Sequence, residues 1–141
     1  ERRESGYKRA LEKHGFRVRE EWIVDCQFDQ STAMQKAMEL KRRYPGIDAF
    51  FCASDGIAIG AIDGMMQLGM QVPQDVAVAG FDDFTVSKYI HGGITSVKQY
   101  PYEMGVACAN TVVSMIDGNR VPDWIPMEYK LMKRTSTKAK L

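Results

Sequence analysis

The sequence has few cysteines and no long apolar run. Its three cysteines, Cys26, Cys52 and Cys108, are an odd number and form no CxxC pair. That spacing argues against a disulfide framework or a zinc site. We expect the three thiols to be small core residues in a reducing compartment. No stretch approaches the roughly 18 apolar residues of a membrane span, and the opening ERRESGYKRAL does not resemble a secretion signal. These absences predict a cytoplasmic protein without a metal site or a membrane segment.

Net charge is also nearly absent. The 141 residues contain 19 Lys plus Arg and 18 Asp plus Glu, which gives a formal net charge of +1. This balance argues against binding nucleic acid or an anionic membrane through bulk charge alone. The hydrophobic fraction of 45% is ordinary for a globular protein. Because the sequence starts with Glu1 inside a helical pattern, we expect the chain to begin within a longer protein.

Apolar spacing predicts helices that alternate with strands. The helices are predicted at residues 2–14, 31–44, 56–70 and 101–116, and the strands at 22–24, 47–53, 76–79 and 125–132. Residues 84–97 are predicted to be mostly loop with a short helical piece, and 47–53 to be a strand buried on both faces. This order predicts an α/β fold with right-handed crossovers and a mainly parallel sheet.

Glycine spacing marks one helix as a packing element. Gly56, Gly60 and Gly64 are four residues apart, so they share a face that has no side chains. A face of bare backbone permits the close approach of another element. We therefore expect a neighbouring helix or strand to contact this face.

Polar residues follow two of the predicted strands. Ser54 and Asp55 come after the strand at 47–53, and Asp82 comes after the strand at 76–79. Ligands of parallel α/β sheets bind at the carboxyl ends of the strands. With Arg3 from the chain start, a hydroxyl, a carboxylate and a guanidinium would share one rim. This set suits a polyhydroxylated or amide-bearing small molecule.

Each of these residues also has a plainer interpretation. Ser54 and Asp55 supply an N-cap for the helix that follows, so Asp55 is more simply a helix cap than a ligand contact. Phe28 is a core residue or an aromatic platform, with the core favoured by spacing. Asp82 and Asp83 form a loop turn or a ligand contact rather than a metal or acid-base pair, because adjacent carboxylates on an extended chain point apart. Without a nucleophile elbow or a phosphate-binding glycine loop, we expect no enzyme, no catalytic residue and no cofactor.

Ordered motifs across almost the whole chain resemble the LacI/GalR family of bacterial transcription regulators. The core block is DAFFCASDG with VPQDV and GFDD further on. The flanking motifs are Arg3–Tyr7 (R-x-x-G-[FY]), Ile94–Gln99 (L-T-T-[VI]-x-Q), Tyr102–Gly105 and Arg134–Thr137 (R-x-S-T). The resemblance implies the type I periplasmic-binding-protein-like fold, in which a three-layer parallel sheet carries helices on both faces.

The resemblance also implies a division of the chain. Residues 1–99 would form the C-terminal lobe of an effector-binding domain, 100–124 a crossover and a helix of the N-terminal lobe, and 125–141 a return strand and tail. A DNA-binding helix-turn-helix head and most of the other lobe would lie outside this chain. The function implied is the effector-sensing and dimerisation part of a repressor that responds to a small molecule, such as a sugar or a nucleobase. The alternative is a solute-binding protein of a sugar transporter.

Specific residues take roles through this resemblance. Arg3 and Asp82 match effector contacts, Phe28 matches an aromatic that stacks on the ligand, and Ser54 stands where many members have Asn. Ile59 and Tyr89 match a homodimer face. Operator DNA would be bound as a second partner through the helix-turn-helix head, and no membrane partner is implied.

Overall fold

The computed structural model describes residues 2–137 and has four α-helices around a four-stranded sheet. The elements are α1 (Arg2–Lys13), α2 (Gln30–Arg43), β1 (Ala49–Phe51), α3 (Asp55–Gln67), β2 (Ala77–Asp82), β3 (Thr95–Lys98), α4 (Pro101–Ile116) and β4 (Lys130–Met132). Single 3₁₀ turns lie at 20–22, 85–88, 90–92 and 135–137. All four helices occur where the apolar spacing predicts them, which confirms the α/β class.

The sheet has the strand order β1-β2-β3-β4. The β1/β2 and β2/β3 pairs are parallel, and β3/β4 is antiparallel. The prediction of a mainly parallel sheet is therefore confirmed. The prediction that residues 84–97 are mostly loop is wrong for Thr95–Lys98, which forms β3. This short strand has little apolar character, and its pairing on both sides makes it a strand.

All four predicted strands also differ from the structure in their bounds. The strand predicted at 76–79 is β2, which runs on to Asp82. Residues 22–24 form no strand, because after the 3₁₀ turn the extended backbone of Ile23 (φ −97°, ψ 116°) has no paired neighbour within residues 2–137. Only 49–51 of the predicted 47–53 and 130–132 of the predicted 125–132 are paired. The predicted burial of β1 on both faces is wrong as well: Phe51 is 42% exposed, since β1 is the first strand of the sheet.

Side-chain caps set the starts of the two central helices. Asp29 caps α2 by accepting a hydrogen bond from Thr32 N (2.6 Å), so the N-cap that the sequence predicts at Ser31 or Thr32 is two or three residues late. Ser54 caps α3 by accepting one from Ile57 N (3.3 Å). The predicted cap at the end of β1 is thereby confirmed for Ser54 and is wrong for Asp55, which is the first residue of α3.

Helices cover both faces of the sheet. On one face, the fully buried Ile62 and Met65 of α3 pack with Val78 of β2 in the main core. On the other face, the Tyr7 ring of α1 stacks on Phe51 with centroids 6.0 Å apart. The expected arrangement of helices on both faces is confirmed. Within residues 2–137, no helix combines the length and apolarity that crossing a bilayer requires.

The three cysteines have different environments. Cys26 and Cys52 are buried, at 8% and 5% exposed, as predicted for small core residues. Burial raises the pKa of the Cys52 thiol to about 12, which keeps it protonated and unreactive at neutral pH. The prediction is wrong for Cys108, which is exposed on α4.

Helices α2 and α3 approach each other through glycine. A Cβ on Gly60 would lie 2.2 Å from the Gln30 carbonyl oxygen, and one on Gly64 would lie 2.7 Å from the Met34 carbonyl oxygen. The predicted close approach is confirmed at these two positions. At Gly56 the nearest atom, Ser54 Oγ, is 3.8 Å away, so the contact does not extend to the start of α3.

We predict that Gly60→Ala destabilises the fold by about 1–3 kcal/mol, because the new methyl group must displace backbone of α2. Gly56→Ala is the matched control on the same helix face, where a methyl group has space. It should stay within about 1 kcal/mol of the parent and benefit from higher helix propensity. Urea denaturation measures both, and an equal effect of the two substitutions would contradict the prediction.

Candidate functional site

Arg3 and Asp82 meet at the carboxyl edge of the sheet. The Arg3 guanidinium donates a hydrogen bond to the Ala53 carbonyl oxygen, and its Nη2 lies 3.4 Å from Asp82 Oδ1. It also lies 4.0 Å from the centroid of the Phe81 ring. Ala53 follows β1 and Asp82 ends β2, so the structure brings together two of the residues expected at this edge.

Gln99 completes this cluster. Its Nε2 donates to Asp82 Oδ1 at 2.6 Å, and it follows β3, the third parallel strand. Sequence reasoning missed Gln99 as a site residue because β3 was not predicted. The same strand-end rule that selects Asp82 would have selected it. A guanidinium, a carboxylate and an amide therefore lie together at three adjacent strand ends.

Asp82 is a strained and partly desolvated carboxylate. Its backbone has φ 102°, in a region that residues other than glycine seldom adopt. Its side chain is 20% exposed. Burial raises the pKa of Asp82 above its ordinary value, while Arg3 and Gln99 act in the opposite direction. A carboxylate held in this way is positioned to accept hydrogen bonds from a ligand.

Asp83 points away from Asp82 and has a structural role. Its carboxylate, 2% exposed, pairs with the Arg134 guanidinium. Arg134 Nη1 also donates to the Ile94 carbonyl oxygen at 2.7 Å. The expectation that the two adjacent carboxylates diverge is confirmed, and the left-handed turn at Asp82 and Asp83 (φ 102° and 55°) produces the divergence.

Asp55 is buried beneath the carboxyl edge of the sheet, and its side chain does not reach the cluster of Arg3, Asp82 and Gln99. Its Oδ2 accepts hydrogen bonds from Phe84 N (2.9 Å) and Ser87 Oγ (2.6 Å), and its Oδ1 accepts one from Ser96 Oγ (2.6 Å). The residue is 0% exposed. The prediction of Asp55 as a ligand-binding residue is therefore corrected: its acceptors are taken by the protein itself.

Ser54 and Phe28 also depart from expectation. Ser54 is 6% exposed, and its hydroxyl caps α3, which corrects its predicted place on the rim. Phe28 is 69% exposed with φ 53°, so the core position favoured by spacing is wrong. Its ring and Arg3 border the same cavity of about 850 Å³. The role of Phe28 as an aromatic platform stays a prediction.

The two residues expected at a dimer face have opposite environments. Ile59 is 8% exposed and belongs to the core beneath α3. It offers almost no surface to a partner, which corrects its predicted role. Tyr89 is 79% exposed, and its place in an interface stays a prediction.

Residues 134–137 are fixed to the centre of the sheet by hydroxyl groups. Ser136 Oγ donates to the Val78 carbonyl oxygen (2.6 Å) and accepts from Thr95 N (2.8 Å). Thr95 Oγ1 lies 2.6 Å from Thr137 Oγ1. The motif Arg134–Thr137 thus ties β2 and β3 together below the carboxyl edge.

Comparison with known proteins identifies a family and a class of relatives. Residues 1–137 match the family model described as a periplasmic binding protein-like domain. The chain is 31% identical over 131 residues to the HTH-type transcriptional regulator MalR of Clostridium butyricum, covering 93% of this chain and 39% of that protein. It is 31% identical over 135 residues to the repressor PurR of Yersinia pestis, covering 95% and 40%. The chain thus spans about two fifths of the length of these relatives.

Two solved structures of transcriptional regulators are also similar to this chain in sequence and in fold. A transcriptional regulator CelR in complex with cellobiose has 35% identity and a TM-score of 0.87, over 93% of this chain and 40% of that chain. A sugar-binding LacI-family regulator of Escherichia coli, complexed with phosphate, has 30% identity and a TM-score of 0.83, over 95% and 48%.

We predict that Asp55→Asn lowers the free energy of unfolding by about 2–3 kcal/mol. The amide retains one acceptor oxygen, so a buried donor loses its partner. Asp123→Asn, at an exposed loop position, is the matched control and should be neutral within about 0.5 kcal/mol. Urea denaturation tests both, and a neutral Asp55→Asn would show that the carboxylate is not needed.

The raised pKa of Asp82 predicts a pH dependence of stability. The folded environment disfavours the ionised carboxylate of Asp82. The stability that Asp82 contributes is therefore fully present below the pKa that it has in the unfolded chain, and it is lost as pH rises through the pKa that it has in the folded protein. Asp82→Asn removes this pH-dependent loss of stability, because the amide does not ionise. Between about pH 3 and about pH 6, the unfolding free energy of the variant should therefore rise relative to the parent. Parallel urea titrations measure the difference, and a constant difference or a fall would contradict it.

Proposed function

The chain belongs to the family of periplasmic binding protein-like domains, and from this premise we propose that it is the effector-sensing and dimerising part of a LacI-type transcription regulator. The observation that carries the proposal is the cluster of Arg3, Asp82 and Gln99 at three parallel strand ends. The regulators MalR, PurR and CelR, to which the chain is similar, support it.

The chemistry of this cluster favours a sugar or a nucleobase-like effector. A guanidinium has five donors, an ionised carboxylate accepts only, and an amide does both. Such a set can hold the hydroxyl groups of a sugar or the polar edge of a base in one orientation. The exposed ring of Phe28 would stack on the apolar face of the ligand. The cellobiose complex of CelR makes cellobiose a first candidate.

The proposed regulator divides this chain between two lobes, with the bounds that the family resemblance implies. Residues 1–99 and 125–141 would form the C-terminal lobe with its return strand and tail, and 100–124 would belong to the other lobe. In the described part of the chain, α4 has no buried residue and exposes apolar side chains, as expected for a helix that packs elsewhere. These exposed side chains are Val106, Val112, Val113, Met115 and Ile116.

DNA binding would come from a helix-turn-helix head outside this chain, in a cytoplasmic homodimer. The exposed Tyr89 would contribute to the dimer face. A two-fold dimer fits pseudo-palindromic operator half-sites. Effector binding would bias the lobe arrangement and, through it, the spacing of the DNA-binding heads. Couplings of this kind are typically about 1–3 kcal/mol.

The test uses the full-length gene product that contains this chain. A thermal-shift screen with cellobiose, maltose, other mono- and disaccharides and purine bases identifies a stabilising effector. Footprinting on the promoter region of the gene then measures operator protection with and without that compound. Absence of operator protection under both conditions would reject the proposed function.

We predict that Asp82→Ala in the full-length protein weakens the effector response at least about tenfold, because the ligand loses a charged acceptor. Operator affinity should stay within about twofold, since Asp82 lies far in the sequence from any DNA-binding head. Titration of the best compound from the screen measures the first, and a gel-shift titration the second. Asp123→Ala serves as the control. Equal loss of both activities would indicate misfolding and contradict the assignment.

A further inference from the structure

Two lysines lie opposite each other where the antiparallel pair β3/β4 reaches the carboxyl edge of the sheet. Lys98 is the last residue of β3 and Lys130 the first residue of β4, and the two are Cα partners in the strand register. Directly opposed residues of an antiparallel pair project from the same face of the sheet, with Cβ atoms about 4.5–5.5 Å apart. Two positive charges therefore stand side by side, which destabilises a sheet unless another charge compensates them.

No carboxylate compensates this lysine pair, Lys98 and Lys130. In the described part of the chain, neither ammonium group forms an ion pair or a hydrogen bond. Asp82 on β2 is the Cα partner of Lys98 on its other side. The carboxylate of Asp82 is turned instead to Arg3 and Gln99. Among the described residues, the two positive charges thus have no counterion.

An aromatic ring positions one of the two ammonium groups. Lys98 Nζ lies 5.0 Å from the centroid of the Tyr100 ring, within the range of a cation–π contact. The ring carries no net charge, so this contact fixes the position of the ammonium group without neutralising it. Lys98 is half-buried and Lys130 is exposed. One charge is thus held at the edge of the sheet, and the exposed lysine beside it has space to close over a bound group.

We propose that Lys98 and Lys130 bind the phosphate group of a small molecule. A phosphoryl group carries about −1.5 to −2 charges at pH 7 and three acceptor oxygens. It therefore matches two adjacent ammonium groups, each of which has three donors. A carboxylate has a single charge and would leave one of the two lysines uncompensated. The site rests on the lysine pair and not on the proposed function.

The phosphate can belong to the effector or be a free anion. The lysine pair adjoins the cluster of Arg3, Asp82 and Gln99, because Lys98 precedes Gln99 in the chain and is paired with Asp82. Neighbouring strands are about 4.8 Å apart, so a phosphorylated sugar held by the cluster has the length to reach the lysines. Inorganic phosphate offers the same chemistry. The assignment to an effector rests on the proposed function, and the experiment separates the two sources.

The test measures binding of inorganic phosphate to the full-length gene product by thermal shift. Ionic strength is held constant, so that screening of surface charges is the same in every sample. Lys98→Gln and Lys130→Gln each remove one charge of the pair. Lys133→Gln is the matched control, because Lys133 follows β4, is exposed, and forms no ion pair in the described part of the chain.

Inorganic phosphate should stabilise the parent and Lys133→Gln to the same extent. Lys98→Gln and Lys130→Gln should each weaken phosphate binding at least about fivefold, since each removes a charged donor. Without phosphate, Lys130→Gln should keep or raise the melting temperature, because it relieves the repulsion between the lysines. Unchanged phosphate binding in both lysine variants would overturn the proposal. Equal weakening in Lys133→Gln would overturn it too, because the effect would then be one of bulk charge.

Glucose 6-phosphate and glucose distinguish the two sources of the phosphate. If the phosphate belongs to the effector, glucose 6-phosphate should bind at least about tenfold more tightly than inorganic phosphate, and Asp82→Ala should remove that gain. Equal binding of the two, unaffected by Asp82→Ala, supports the lysine site as a site for a free anion. Binding of glucose 6-phosphate that survives both lysine substitutions would overturn the site. Failure of the operator footprinting would reject the proposed function and leave the titration with inorganic phosphate valid.

Discussion

A single buried carboxylate, that of Asp55, joins the parts of the molecule on which the site depends. It belongs to the first turn of α3 and accepts hydrogen bonds from the turn that follows β2 and from Ser96 in β3. Ser96 Oγ in turn accepts from Asp83 N at 3.0 Å. A Cβ on Gly80 would lie 2.3 Å from Asp55 Oδ1, so β2 can pass this close only because residue 80 is glycine. Helix, strand and turn are thereby held in one arrangement.

This arrangement gives two adjacent aspartates different roles. The turn after β2 places Asp82 and Asp83 in left-handed backbone conformations, a strain that the surrounding hydrogen bonds must offset. Asp83 is directed inward to Arg134, where the pair ties the segment 134–137 to the sheet. Asp82 is directed outward to Arg3 and Gln99, where it remains partly exposed. The proposed effector site, formed by Arg3, Asp82 and Gln99, thus lies on the solvent side of a buried polar network. The inner residues of that network, Asp55, Asp83 and Arg134, hold the structure together.

The sequence allowed much of the fold to be predicted and only part of the site. The four helices and β2 have strong local signals: apolar spacing, capping residues and a continuous apolar run. Strand β3 was missed because Thr95 and Ser96 are polar, and residues 22–24 were assigned to a strand although their β-branched residues have no paired neighbour in the described structure. Asp82 was found from the rule that ligands lie at strand ends, and Arg3 from its place near the chain start and from the family resemblance. Gln99 was missed together with its strand.

Residue types and their spacing determined the α/β class, the helix positions, the glycine contact between α2 and α3, and the edge of the sheet where polar residues collect. Only the tertiary structure decided which of those polar residues faces solvent. Asp55 follows β1 and Asp82 ends β2, so both lie at a strand end. Ser87 and Ser96, 32 and 41 residues beyond Asp55, take up the acceptors of Asp55 and bury it. The family resemblance likewise implied a surface contact for Ile59, which lies in the core. Burial depends on neighbours that are distant in the sequence, and local spacing does not contain that information.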